Sequence, residues 1–217
     1  MGGFYLTVKP KWIIFQIIAV LIANPLSFVE KSMEYRVCVS SNTMVIDRAG
    51  YRLNVGIVLV NDSGLAFWGR RQGHDAWQFP QGGLAAGETA LDAMFRELRE
   101  EVGLEREDVE VLGVTKRWLK YRLPKQYLRH GTEPLVIGQK QKWYLLKLTA
   151  SEQKVRLDLS DSPEFDSWRW IDFFEPQEQV IFFKKQVYVQ ALKELEPFLK
   201  KRRAPIGARH KRSGHGH

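Results

Sequence analysis

Three glutamates, Glu97, Glu100 and Glu101, occupy positions i, i+3 and i+4 of a stretch with helical periodicity. On a helix they share one face, roughly 100° wide, beside an apolar stripe. Like charges at this spacing destabilise a bare helix by about a few tenths of a kcal/mol per pair. An acidic surface patch kept for solubility would interleave lysines at such positions. A divalent cation removes the repulsion instead. Hard carboxylate oxygens suit Mg²⁺, with Mn²⁺ or another divalent metal as the alternative, and Mg²⁺ keeps water and substrate phosphate oxygens in its shell. Such a centre polarises phosphoryl oxygens and lowers the pKa of water, and a neighbouring carboxylate can then take a proton. A centre of this kind suits metal-assisted reactions of phosphate groups.

Several elements must position these groups. Gly82 and Gly83 read as a tight turn that lets the backbone come close, so that a main-chain carbonyl of Gly82 joins the metal shell. Glu88 falls at the start of the helix, where a negative side chain is favoured. The helix itself reads from Thr89 to Val102, with Leu91, Met94, Phe95, Leu98 and Val102 on its apolar stripe and Gly103 as C-cap. Upstream, the runs 55–60 and 65–69 flank Asn61-Asp62-Ser63-Gly64 and predict a hairpin. Residues 77–79 predict a short strand ended by Pro80. Downstream, 109–123 and 136–148 read as longer strands, 168–171 as a short one, and 184–199 as an amphipathic helix. Strands, helix, strands, helix in that order imply an α/β (α+β) domain with a mixed β-sheet sandwiched between helices.

Composition sets outer bounds. The chain has 217 residues, 44% hydrophobic and 27% charged, with a net charge of +8. That charge favours polyanionic partners such as RNA. The segment 116–129 interleaves cations with Trp118 and Tyr121, a composition suited to phosphates and stacked bases, or equally to a half-buried strand with a basic outer face. One cysteine, Cys38, precludes an intrachain disulfide. The only long apolar run, 12–28, is interrupted by Gln16, Asn24 and Pro25 and is short for a spanning helix. It resembles a signal-anchor core, but Met44 opens what looks like a natural domain start. The reading is therefore an extension over 1–43, a catalytic domain over 44–195 and a basic, disordered tail over 196–217. It places the protein in the cytoplasm, with a membrane anchor through 12–28 as the alternative.

The spacing Gly82, Glu88, Arg96-Glu97, Glu100-Glu101, Gly103 matches the Nudix box at every specified position. The strings YRLNVGIVLV, RRQGHDAWQFPQGG, IGQKQKWYLLKL and SPEFDSWRWID extend the match. The chain resembles the bacterial RNA pyrophosphohydrolase family of Nudix hydrolases over about residues 44–195. The resemblance implies the Nudix fold, and hydrolysis of 5′-triphosphorylated RNA to 5′-monophosphate RNA, which exposes messenger RNA to decay. It gives Glu88 and Arg96 a bracing ion pair, and makes Glu164 an additional metal ligand or base. Arg52 and Arg71 resemble contacts to the triphosphate and the first nucleotides. Gln139, Lys140 and Lys142 resemble polar contacts to phosphate or to water in the metal shell. Ile181, Phe183 and Lys184 resemble part of a base pocket. Leu53 stands where the family commonly has Pro, which predicts a looser loop before the first strand. Dinucleoside polyphosphates are the alternative substrate class, and a catalytically inactive RNA-binding module is the alternative outside enzymes.

Overall fold

The computed structural model describes residues 36–37, 44–128, 135–160 and 162–203. The apolar run 12–28, Cys38, Arg129 and the tail beyond Arg203 lie outside these. Strands β1 (Arg36–Val37) and β2 (Val45–Ile46) lead into β3 (Tyr51–Val60), which is buried along nearly its whole length. A strand covered on both faces reads as a continuous apolar run. Here Leu53, Val55, Ile57 and Leu59 serve one core while Val58 and Val60 serve the other.

β3 runs parallel to β9 (Gly138–Leu148), in register from Tyr51–Gly138 to Val60–Lys147. Antiparallel to β9 lie β7 (Val109–Val114) and β8 (Leu119–Arg122). The expected single strand over 109–123 is thus two. The ladder slips between Val111 and Gly113, and the chain turns away after Thr115, whose hydroxyl takes the Trp143 N–H at 3.1 Å. β4 (Ala66–Arg71) pairs with β10 (Phe165–Ile171).

The expected hairpin forms only at its base. β3 and β4 meet at Val60–Ala66 and then diverge. The wedge between them is filled by β5 (Trp77–Gln78), paired with β4, and β6 (Gln81–Gly83), paired with β3. Gly82 and Gly83 therefore sit in a strand, opposite Val55 and Asn54, and not in a tight turn. Their φ angles are not positive; what they supply is close approach.

Helix α1 (Ala90–Val102) covers one face, burying Met94, Leu98 and Val102. Thr89 caps its start by accepting the Asp92 N–H, and Gly103, at φ 74°, closes it by donating to the Arg99 carbonyl at 3.0 Å. Only glycine adopts that left-handed cap without strain. After the short α2 (Pro176–Gln179), α3 (Lys185–Arg203) covers the other face with Val187, Tyr188, Ala191, Leu192 and Leu195. It continues four residues beyond the expected end at Leu199, with Lys200 in an i,i+4 pair with Glu196. The result is the mixed sheet between helices that the sequence implied. Leu53 corrects one expectation: it lies inside β3, 2% exposed, and packs the α1 core without loosening any loop. Among the described residues no helix is long and apolar enough to cross a membrane.

Candidate active site

The segment 77–83 meets α1 along its second half, at Arg96, Glu97 and Glu101. At Gly82 the fit is tight: a Cβ there would lie 1.7 Å from Glu97 Cδ. At Gly83 it would lie 2.3 Å from an Arg52 guanidinium nitrogen. The Glu97 carboxylate and the Arg52 guanidinium thus occupy the space that side chains on β6 would fill. The close approach expected of these glycines is present, though it admits side chains and not a turn.

Arg96 gathers the loop and the helix. Its Nε donates to Glu88 Oε1 at 2.8 Å and its Nη2 to Glu88 Oε2 at 3.0 Å and the Gly83 carbonyl at 2.8 Å. Its Nη1 donates to Glu97 Oε1 at 2.7 Å and Glu100 Oε2 at 3.2 Å. Planar guanidinium donors suit this forked arrangement. The Glu88 carboxylate also accepts the Ala85 N–H at 2.9 Å. The hydrogen bond from Arg96 lowers the Glu88 pKa, and Glu88 in turn raises that of Arg96. The geometry is that of a brace between loop and helix.

Glu97 and Glu101 are different. Burial raises the Glu97 pKa, against the pull of Arg96. Burial raises that of Glu101 well above the usual carboxylate range, and the neighbouring charges of Glu97, Glu164 and Glu100 add to it. The Gln81 N–H, donating to Glu101 Oε2 at 2.9 Å, opposes them only in part. Glu100 is half exposed. Among the described residues no three His, Cys, Asp or Glu side chains are gathered closely enough to hold a metal ion by themselves. The chemistry of the donor set nevertheless fits a hard divalent cation: buried carboxylate oxygens carry repulsion that a cation relieves, and such an ion completes its shell with water and phosphate oxygens.

Beside this acidic edge opens a cleft of about 420 Å³. Arg52, Arg71, Gln139, Glu164, Phe183 and Lys184 line it, all six singled out from the sequence. Glu164 accepts Arg71 Nε at 2.9 Å and Gln78 Nε2 at 3.0 Å, both on Oε1. Lys184 Nζ donates to Gln78 Oε1 at 3.2 Å. Burial, helped by Arg71, lowers the Lys184 pKa to about 8. Phe183 packs with Tyr121 and Tyr127, ring centroids 5.7 and 5.1 Å away.

Three expected contacts lie apart from the cleft lining. Lys140 pairs with Asp47 at 3.3 Å, and Lys142 Nζ donates to the Lys116 carbonyl at 3.2 Å. Strand alternation sends both away from Gln139. Ile181 is 41% exposed just before the turn that carries Phe183. The basic segment divides the same way: Tyr121, Leu123 and Tyr127 line the cleft, while Lys120 and Arg122 are exposed on the opposite face of β8.

Sequence reasoning missed the glutamine amides. Gln78, Gln81 and Gln141 have no charge or periodicity to single them out, although all lie inside the quoted strings. Gln141 is fully buried and donates to Asn54 and Gln81 oxygens at 3.0 and 3.1 Å.

A mixed sheet between two helices, a glycine strand and a glutamate-bearing helix braced by arginine define a Nudix-type hydrolase architecture. The NUDIX domain matches residues 50–191, and the chain belongs to that family. It is 81% identical over 170 residues to an RNA pyrophosphohydrolase of Legionella pneumophila strain Corby, covering 78% of this chain and 97% of that protein. To an RNA pyrophosphohydrolase of Pseudomonas putida strain GB-1 it is 57% identical over 155 residues, 71% of this chain and 98% of the relative. The E. coli dihydroneopterin triphosphate pyrophosphohydrolase structure shares the fold at 22% identity, with TM-score 0.50, over 64% of this chain and 92% of that one.

Proposed function

We propose that this chain is an RNA 5′-pyrophosphohydrolase: water cleaves the anhydride that joins the α phosphate to the terminal phosphates of 5′-triphosphorylated RNA. The products are 5′-monophosphate RNA and pyrophosphate; with two waters, cleavage of the β–γ anhydride first and the α–β anhydride second gives the same RNA and two orthophosphates. The observation that carries the reading is the cleft. Its cations Arg52, Arg71 and Lys184 face polyanionic substrate, and Gln81 in its wall donates its N–H to Glu101 on the glutamate face of α1 at 2.9 Å. The 81% identity to a chain named for this activity supports the choice of substrate.

Glu97, Glu100 and Glu101 would hold Mg²⁺, with Gly82 giving the backbone approach. When bound, the ion supplies charge neutralisation at the phosphoryl oxygens and lowers the pKa of water. Arg52 and Arg71 bind the phosphates and restrain them for in-line attack. Glu164 takes the proton of the attacking water. Both its donors sit on Oε1, so Oε2 has no hydrogen-bond donor among the described residues. Phe183, with Tyr121 and Tyr127 around it, offers an aromatic wall on which a base can stack. Such an enzyme acts in the cytoplasm, where its product feeds end-dependent messenger decay.

The test is release of pyrophosphate from 5′-triphosphorylated RNA in Mg²⁺, read at the RNA 5′ end beside diadenosine tetraphosphate as competing substrate. Preferential turnover of the dinucleotide would move the assignment to dinucleoside polyphosphates. No turnover of either by folded protein would reduce it to a binding module.

A further inference from the structure

Gln78 has no assigned part in this chemistry, yet the residue is 6% exposed and its side chain joins two groups that do. Its Oε1 accepts the Lys184 ammonium at 3.2 Å, and its Nε2 donates to Glu164 Oε1 at 3.0 Å. The orientation of the amide is not a matter of choice. An ammonium only donates and an ionised carboxylate only accepts, so one rotamer satisfies both ends and the flipped one satisfies neither. The Glu164 side chain needs such a hold. Its backbone is tied, the carbonyl accepting the Gln72 N–H at 2.8 Å just before β10, but the side chain itself is 35% exposed. Gln78, by contrast, lies in β5, locked to Gly69 of β4 and preceding the fully buried Phe79.

We infer that Gln78 is a positioning residue. It fixes the Glu164 carboxylate with Oε1 occupied and Oε2 turned to the reacting water, and it ties that orientation to Lys184 on the nucleotide side of the cleft. Arg71 is the second donor on the same oxygen, but its side chain is 42% exposed and charged, and incoming phosphate competes for it. The neutral amide of Gln78 has no such competitor. When substrate draws Arg71 toward phosphate, Gln78 is the donor that keeps Glu164 aimed.

This rests on the proton-accepting part given to Glu164, and a double-mutant cycle isolates it. Q78M keeps the length of the side chain and removes both hydrogen bonds. Turnover of a short 5′-triphosphorylated RNA is measured for wild type, Q78M, E164Q and the double variant. Q78M should lower kcat about tenfold with KM within twofold; stranding the Lys184 ammonium also lowers the melting temperature, so kcat is read well below it, on fully folded protein. In the E164Q background the same change should alter kcat less than twofold, because Gln78 then has no proton acceptor to aim. A wild-type kcat in Q78M overturns the inference. So does an equal fold loss in both backgrounds, the signature of a merely structural residue, or a rise in KM alone. If Q78M fails to fold, Q78L enters the same cycle: it is neutral, can neither accept from Lys184 nor donate to Glu164, and must show the same loss and the same epistasis. Inactive wild type would instead reject the RNA reading itself.

Discussion

A single methyl group at Gly82 should disable the enzyme without unfolding it. The Cβ of G82A would sit 1.7 Å from Glu97 Cδ, whereas ordinary contact begins at 3.4 Å. Either the carboxylate or the strand must retreat by roughly 1.7 Å. The strand is the stiffer of the two, since β6 is laddered to β3 at Asn54, Val55 and Gly56 and Leu84 N–H bonds the Leu53 carbonyl at 3.1 Å. Glu97 therefore moves, stretching its 2.7 Å bond from Arg96 and leaving the cluster with Glu101. A displacement of about 1 Å in a reacting constellation costs roughly 100-fold in rate, so kcat should fall by about 100-fold or more, near 3 kcal/mol of barrier. The assay is single-turnover pyrophosphate release from triphosphorylated RNA across a Mg²⁺ titration, with thermal melting as control. The apparent Mg²⁺ requirement should rise as well. A G82A protein with kcat within threefold of wild type and an unaltered Mg²⁺ requirement would refute the packing argument and the assignment of Glu97.

E101Q should cut turnover by about two orders of magnitude, an effect typical of losing a group that stabilises transition-state charge. The same variant should melt higher than wild type in EDTA at pH 8. Burial raises the Glu101 pKa, so the fold holds that proton more tightly than the unfolded chain does, and stability declines as pH rises from the ordinary 4.5 through the raised value. A neutral amide escapes that decline, and equal melting temperatures at pH 8 would contradict it. R96M should lower stability by about 2 kcal/mol in urea denaturation, because charged hydrogen-bond partners are stranded, and should lower kcat as Glu97 loosens. For Lys184 the sign is opposite to that of Glu101: its pKa is depressed from 10.5 to about 8, so the unfolded chain binds the proton more tightly. Between pH 8 and 10 metal-free wild type should gain stability relative to K184M, which lacks this contribution; parallel profiles of the two proteins over that window would contradict it.

The chemistry was legible where side-chain type and spacing jointly express it. Glu97, Glu100 and Glu101 announce themselves because helical geometry alone puts them on one face, and Thr89 and Gly103 bound their helix by local backbone rules. Arg52, Arg71, Glu164, Phe183 and Lys184 were reached through resemblance, as no local pattern ties residues this far apart in the chain. What stayed hidden depends on tertiary packing. Gly82-Gly83 has the composition of a turn, but strand pairing with β3 and the nearby Glu97 and Arg52 side chains decide its conformation. Lys140 and Lys142 were singled out for charge, but strand alternation puts them on the face of β9 opposite Gln139, outside the cleft lining. Gln78 and Gln141 are neutral, and their importance lies wholly in which donors and acceptors they meet.

The seven residues from Trp77 to Gly83 stitch together two strands that would otherwise splay, and each stitch also holds a working group. Gln78 reaches Glu164, Gln81 reaches Glu101, Gly82 makes room for Glu97, and the Gly83 carbonyl anchors Arg96. Structural cohesion and catalytic alignment are in this way vested in one short ribbon. Loosening it to gain plasticity would dismantle the acidic centre, and the enzyme must find its adaptability elsewhere, in the aromatic wall and the rim of the cleft.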